Sequence, residues 1–486
     1  MSIDASTRAT TDRRLLPAVF LSLATVISAV TSLNVALPDL AADTGATQTQ
    51  VSWVIDSYAL VFAALLLIGG ALGDRYGRRR ALLTGLIVFG AGSLAAMFAT
   101  DVEVVIGLRI VLGVGAALVM PATLSTITTV IDVDERQRAI AIWAGVAGAS
   151  AVLGLLAAGT LLEWLSWESV FGLNVVLAVI ASALVFRAVP ESSERPDGRL
   201  DIIGGALFAM SVGAIVYSII EAPHDGWTSA EIVSGFAIGT ALLAATIVWE
   251  LRHPRPLLDP RLFTHRTFAA SSLTITLQFA AFFGFMFLLM QYLQFVGGLS
   301  PLAAAASMLP FAVGMMGSSR GSVKVVGRLG RARTVLVGLT ILTAALFALS
   351  RLDSDVDYWL LFTTLPFLGV GMGLSMTPST SLLTEELPRE EQGVASAVND
   401  LSRELGGALG IAVMGSILTD TLQDRLGTGG GIGGAEHLPS EMIPVALETF
   451  ADGFSNALIV AAWSIAATLA VVAYLTKGGR YKGPQR

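Results

Sequence analysis

Residues 51–80 read VSWVIDSYALVFAALLLIGGALGDRYGRRR. From Val51 to Leu72 there is a single charge, Asp56, and a helix of that length crosses a hydrocarbon layer about 30 Å thick. The run stops at Asp74, and Arg75, Arg78, Arg79 and Arg80 follow within six residues. A short loop dense in arginine between two apolar runs is what stays on the cytoplasmic side of a membrane.

Working outward, the same pattern recurs along all 486 residues. Apolar residues make up 54% and charged residues 14%, with a mean hydropathy of +0.72, against about 45–50% and about 25% in soluble domains. The bilayer is therefore the solvent, and the lipid is the first expected partner. Spans are predicted near 15–36, 51–72, 81–99, 104–127, 139–162, 170–189, 201–220, 232–251, 268–290, 302–322, 334–350, 358–380, 393–418 and 454–475. With the N-terminus inside, 25 of the 30 Lys and Arg residues fall in cytoplasmic segments and only Arg351 and Arg425 outside. A miscount by one span would invert this alternation downstream, so charge supports fourteen spans with both termini cytoplasmic.

Loop lengths organise the spans. A cytoplasmic segment covers 1–14, six helices cover 15–189, and a linker with two extra transmembrane helices covers 190–266. Six more helices cover 267–475, and 476–486 form a cytoplasmic tail. Two facing six-helix halves are a recurrent transporter plan, with the binding site at their interface near the midplane. The first run follows Arg8, Arg13 and Arg14 and lacks a cleavage pattern, so it reads as a retained span rather than a signal peptide.

Several classes are set aside. The chain has no cysteine, hence no disulfide or thiolate metal site. Gly427 to Gly434 is a glycine-rich external loop, but no Gly-Lys-Ser/Thr follows it, so ATP is not the expected fuel. His224, His253, His265 and His437 read as loop residues, and no His-Glu-x-x-His pattern exists. An enzyme, a resident metal or cofactor and a nucleic-acid partner are not expected, and the chain is expected to act as a monomer.

Charges inside the spans are the informative residues, because each costs about 2.5–3.5 kcal/mol near the bilayer centre unless it has a partner or water. Asp56 and Arg109 each lie about five residues, roughly 7–8 Å, below the external ends of their spans and are placed to pair. A structural ion pair and a proton or cation site are the alternatives. Asp400, Arg403 and Glu404 follow at i, i+3 and i+4, on one helical face. Two acids around one Arg leave a surplus carboxylate suited to proton exchange; Glu404 is the candidate carrier, with Arg403 holding Asp400. The alternative is a helix start lining a wet vestibule. One proton moving down about 100 mV releases about 2.3 kcal/mol, and each pH unit adds about 1.4 kcal/mol, enough to drive uphill export.

Cargo is read from the soft residues. Phenylalanines and methionines crowd the ninth span, Phe282 and Met286 among them, and suit a promiscuous apolar cavity. Aromatic faces also hold cations. Asn34, Tyr58, Gln278 and Gln291 are candidate polar contacts in the same cavity; packing or lipid-facing roles are the alternative for each.

The segment Gly70-Ala-Leu-Gly-Asp74-Arg75-Tyr-Gly77-Arg78-Arg79-Arg80 resembles the signature loop between the second and third helices of the major facilitator superfamily. Asn34-Val-Ala-Leu-Pro38, Trp53-Val-Ile-Asp56-Ser-Tyr58, Arg109 with Gly113 and Gly115, Pro260-Arg-Leu-Phe263 and Asn399-Asp-Leu-Ser-Arg-Glu-Leu-Gly-Gly407 extend the match. Together they resemble the fourteen-helix drug:proton antiporters of the QacA/EmrB type. That resemblance implies two six-helix bundles with two inserted central helices in a plasma membrane. It also implies export of amphipathic, cationic or aromatic drugs or metabolites against protons, and points to Asp56 and Glu404 for coupling. The signature loop would act as a cytoplasmic gate.

Four positions depart from the family pattern. Ala29 replaces a first-helix acid, Leu155 stands where the fifth-helix antiporter motif has Pro, Leu112 replaces a Gln, and Glu168 replaces an Arg. Losing the Pro removes a bend, and losing the acid removes a proton site. Two other readings are thereby kept open: a proton-independent facilitator or symporter, and a transporter-like sensor without flux.

Overall fold

The computed structural model describes residues 5–131, 133–193, 201–254, 256–385, 392–426 and 441–476. Their regular structure is entirely helical, since hydrocarbon leaves backbone groups no partner outside their own helix. Fourteen helices are long and apolar enough to cross a membrane. They are α1 Leu15–Thr44, α2 Gln48–Tyr76, α3 Arg78–Ala96, α4 Val102–Val130, α5 Gly145–Leu162, α6 Ser169–Ala188 and α7 Ile202–Asp225. The rest are α8 Ala230–Arg252, α9 Arg266–Phe295, α10 Pro301–Leu329, α11 Arg331–Leu349, α12 Tyr358–Leu383, α13 Val398–Leu426 and α14 Ile443–Leu475. The number matches the expectation from charge alternation.

The helix ends do not match it. α1 runs past Ala36 through Pro38 to Thr44, and α2 starts at Gln48 because Thr47 and Gln50 form a capping box. Hydropathy cuts a span where polarity begins, whereas the helix continues until its backbone donors are capped. α10 is interrupted at Ser307–Met308 ahead of Pro310, whose ring removes a donor from the ladder. Two histidine placements also differ: His224 lies in the last turn of α7, and His253 caps α8. His437 lies outside the described residues.

Glycines bring backbones together where helices pack closely. A methyl at Gly69 would overlap the Ala117 carbonyl across α2 and α4, and one at Gly410 would overlap the Ala280 carbonyl across α9 and α13. α1 to α6 pack on one another, as do α9 to α14. The two sets meet where α2 touches α13, α1 touches α9 and α5 touches the start of α10. The pair α7 and α8 stands beside this seam, with α7 packed on both α2 and α13.

Candidate functional site

Asp56 lies eight residues inside α2 and Arg109 seven inside α4, about 10–12 Å from the helix starts, deeper than the apolar runs implied. Both are buried, at 0% and 1% exposure. The ion pair, one of the two alternatives, is not formed. Neither carboxylate oxygen of Asp56 has a hydrogen-bond partner. Arg109 Nε instead donates to the Val54 carbonyl (2.8 Å), and its guanidinium lies 4.3 Å from the centre of the Tyr58 ring. A backbone acceptor and a π face hold the arginine while its Nη2 stays without a hydrogen-bond partner, and Gly113, one turn on, lets α4 close against the Tyr58 carbonyl.

On α13 the expected i, i+3, i+4 arrangement holds within one continuous helix, Gln392–Leu426. Arg403 does not hold Asp400. Its guanidinium lies 4.8 Å from the Phe279 ring of α9, and Asp400 accepts from Asn399 (3.3 Å), which itself accepts from Thr380 of α12 (3.0 Å). Asp400, Arg403 and Glu404 are half-buried.

The cavity candidates divide. Asn34, Tyr58, Gln278, Met286 and Gln291 are at most 1% exposed. Gln278 accepts from Ser375 of α12 (2.7 Å). Phe282 is set apart: it stacks on Phe311 at 4.8 Å and closes a small void with Leu342, Leu346, Leu368 and Met372, among α9 to α12.

The segment from Gly70 to Arg79 is clamped by the first six helices and the start of the linker. Arg78 Nε donates to Asp74 (2.9 Å), Nη1 reaches Thr129 at the end of α4, and its backbone N–H donates to the Ser192 carbonyl (2.9 Å). Arg79 bonds the Phe186 carbonyl (2.6 Å) and lies over that ring, Arg75 lies over Tyr76, and Gly70 rests on Pro121. Gly77 has φ +117°, and a side chain there would also meet the Glu191 carboxylate. Glycine is required at this corner on both counts.

One end of the seam is closed. Gln294 donates to the Val35 carbonyl (2.9 Å), Glu163 accepts from Leu302 N (3.3 Å), and Gly159 and Gly415 abut Leu302 and Ser52. Toward the other end, Gly145 and Gly148 of α5 and Gly317 and Gly321 of α10 face open space, and Arg320 and Lys324 are exposed. Arg320 lies nine residues from the end of α10, where a charge needs a partner or water.

Sequence reasoning missed three contributors. Gln294 sits in an apolar run one turn after Gln291, a readable signal. Phe279 beneath Arg403 was one phenylalanine among many. Glu221 of α7, which accepts from Trp53 Nε1 of α2 (2.7 Å), falls one residue beyond the predicted span 201–220.

The profile of the Major Facilitator Superfamily matches residues 19–411. The multidrug efflux pump LfrA of Mycolicibacterium smegmatis is 33% identical, over 96% of this chain and 97% of that protein. The methyl viologen resistance protein SmvA of Salmonella typhimurium is 34% identical over 80% and 79%, and the puromycin resistance protein pur8 of Streptomyces alboniger 35% over 80% and 78%. Among solved structures, a bacterial homologue of the human lysosomal transporter Spinster superposes with a TM-score of 0.68 at 16% identity, covering 96% and 97% of the two chains. Matched in profile, in relatives along nearly its full length and in fold, this chain belongs to the Major Facilitator Superfamily.

Proposed function

We propose that the protein exports amphipathic organic cations in exchange for protons by alternating access of 15–189 against 267–475, with 190–266 carrying the inserted pair. The observation that carries this reading is Asp56, a fully buried carboxylate without a hydrogen-bond partner beside the seam. Such a group carries a desolvation cost unless it binds a proton or a cation, and binding the two in turn is antiport. Glu404, Asp400 and Arg403 form the second station, with Arg109 positioning Tyr58. Asn34, Gln278, Met286 and Gln291 line the passage, backed by Phe282, and the loop Gly70–Arg79 gates the cytoplasmic end. Relatives whose names state multidrug efflux and resistance to methyl viologen and puromycin support the cargo class. The arginine distribution supports cytoplasmic termini in a plasma membrane, and the protein works as a monomer.

The test uses everted membrane vesicles. Acidifying the lumen should drive uptake of a cationic dye, and Asp56→Asn or Glu404→Gln should abolish it. Coupled uptake retained by both variants contradicts the assignment. A second reading, proton-independent flux, is favoured by Ala29 and Leu155, both buried as plain apolar contacts. It predicts transport insensitive to an uncoupler.

A further inference from the structure

The first segment of α10, Pro301–Ala306, has both of its sides in use. One side meets α5, where Gly159 abuts Pro301, Leu302 and Ala305. On the other side a groove of about 410 Å³ runs between this segment, the residues after α9 and the start of α12, lined by Leu299, Ala303, Ala306, Ser307, Tyr358 and Phe362. That volume falls within the range of about 300–1,000 Å³ typical of ligand sites.

Both polar side chains of the lining have partners. Ser307 Oγ donates to the Ala303 carbonyl (2.9 Å) and the Tyr358 hydroxyl to the Gly297 carbonyl (3.2 Å), so the walls offer an occupant mainly hydrocarbon. The groove lies at the membrane boundary of the closed end. Tyr358 and the exposed Trp359 open the α12 span, where such rings sit at headgroup level, and the exposed Phe362 lies one turn, about 6 Å, deeper. The Pro301–Ala306 segment stands between the groove and the seam, which leaves the bilayer as the neighbour on this side.

An acidic segment overhangs the groove. Residues 351–357 read RLDSDVD, three carboxylates against one arginine. The segment is pinned to the end of α9, because the Tyr292 hydroxyl donates to the Asp353 carbonyl (2.5 Å) and Tyr358, directly after Asp357, bonds Gly297. Asp357 also caps α12 by accepting from Leu360 N (3.0 Å). Apolar walls beneath a net negative rim suit a chain whose head carries a positive charge and no net negative one.

We propose that the groove seats the upper part of one acyl chain of a phosphatidylethanolamine, drawn from the leaflet at the closed end, with its ammonium group toward Asp355 and Asp357. The proposal stands on the membrane setting, whatever the protein transports. To test it, purified full-length protein in detergent is given equal amounts of phosphatidylethanolamine and phosphatidylglycerol with identical chains, and the retained lipid is read by native mass spectrometry. The wild type should hold the first about fivefold over the second, as two solvent-screened ion pairs support. Ala303→Leu and Ala306→Phe fill the groove with the protein's own hydrocarbon and should each lose that lipid while unfolding at or above the wild-type temperature. Asp355→Asn combined with Asp357→Asn keeps a capping residue on α12; it should retain lipid but lose the preference between heads. Equal retention of the two lipids by the wild type, or wild-type retention in both filled variants, overturns the proposal. Displacement of the lipid by tetraphenylphosphonium would assign the groove to cationic cargo and overturn it as well.

Discussion

Tyr58 shows how much one side chain carries here. Its ring lies under Arg109 and packs on Phe62 at 5.8 Å. Its hydroxyl reaches only the Val26 carbonyl, at a distance where a hydrogen bond contributes little. Tyr58→Phe should therefore leave thermal stability in detergent near that of the wild type. Tyr58→Leu, which deletes the π face beneath a buried guanidinium, should cost about 1–2 kcal/mol; equal unfolding temperatures for the two variants would contradict the account. At this scale the sequence revealed which residues are unusual but not whom they touch. Asp56 and Arg109 stand out because charge in hydrocarbon is rare, yet their distance depends on where Gly113 lets α4 approach, and spacing along the chain carries no trace of that.

The helices were legible in number and blurred at their ends. Apolar runs alternating with arginine-rich and arginine-poor loops count themselves, because lipid and charge act on every segment. Ends are set by local capping at Thr47 or a missing donor at Pro310, which hydropathy does not weigh. The placement of α7 was not legible. It reads as a linker helix, yet it bonds α2 through Glu221 and Trp53 and bonds α13 through its Ile219 carbonyl and Ser416. Since α2 and α13 belong to the two opposed sets, α7 works as a strap across the closed end. Glu221→Ala should raise the population opened at that end by about tenfold, as expected for loss of one charged hydrogen bond. The chain has no cysteine, so crosslinking of cysteines introduced at the facing ends of α1 and α9 reads this directly, and unchanged crosslinking would refute the strap. Close packing belongs to this scale as well. Gly410→Ala should force α13 off α9 and cost about 1–3 kcal/mol, checked by thermal unfolding, and an unshifted transition would show that the contact gives way freely.

Across the whole molecule, the seam is closed where Gln294 meets Val35, and at the other end of α10 Arg320 and Lys324 are exposed. Asp56 lies toward the closed end, while Glu404, twelve residues into its helix from the opposite end, is half-buried nearer that other end. In the proposed exchange, a cation arriving from the cytoplasmic end meets the α13 acids first and Asp56 afterwards, and a proton entering from the far side meets them in the reverse order. That order gives exchange a physical basis, since carboxylates that take one cargo must give up the other. The most direct measurement is proton release from the purified protein in weakly buffered solution when a lipophilic cation is added, followed with a pH-indicator dye. The account predicts release from the wild type and its loss in Asp56→Asn and Glu404→Gln. Saturating cation binding with no proton released, or release undiminished in both variants, would contradict it.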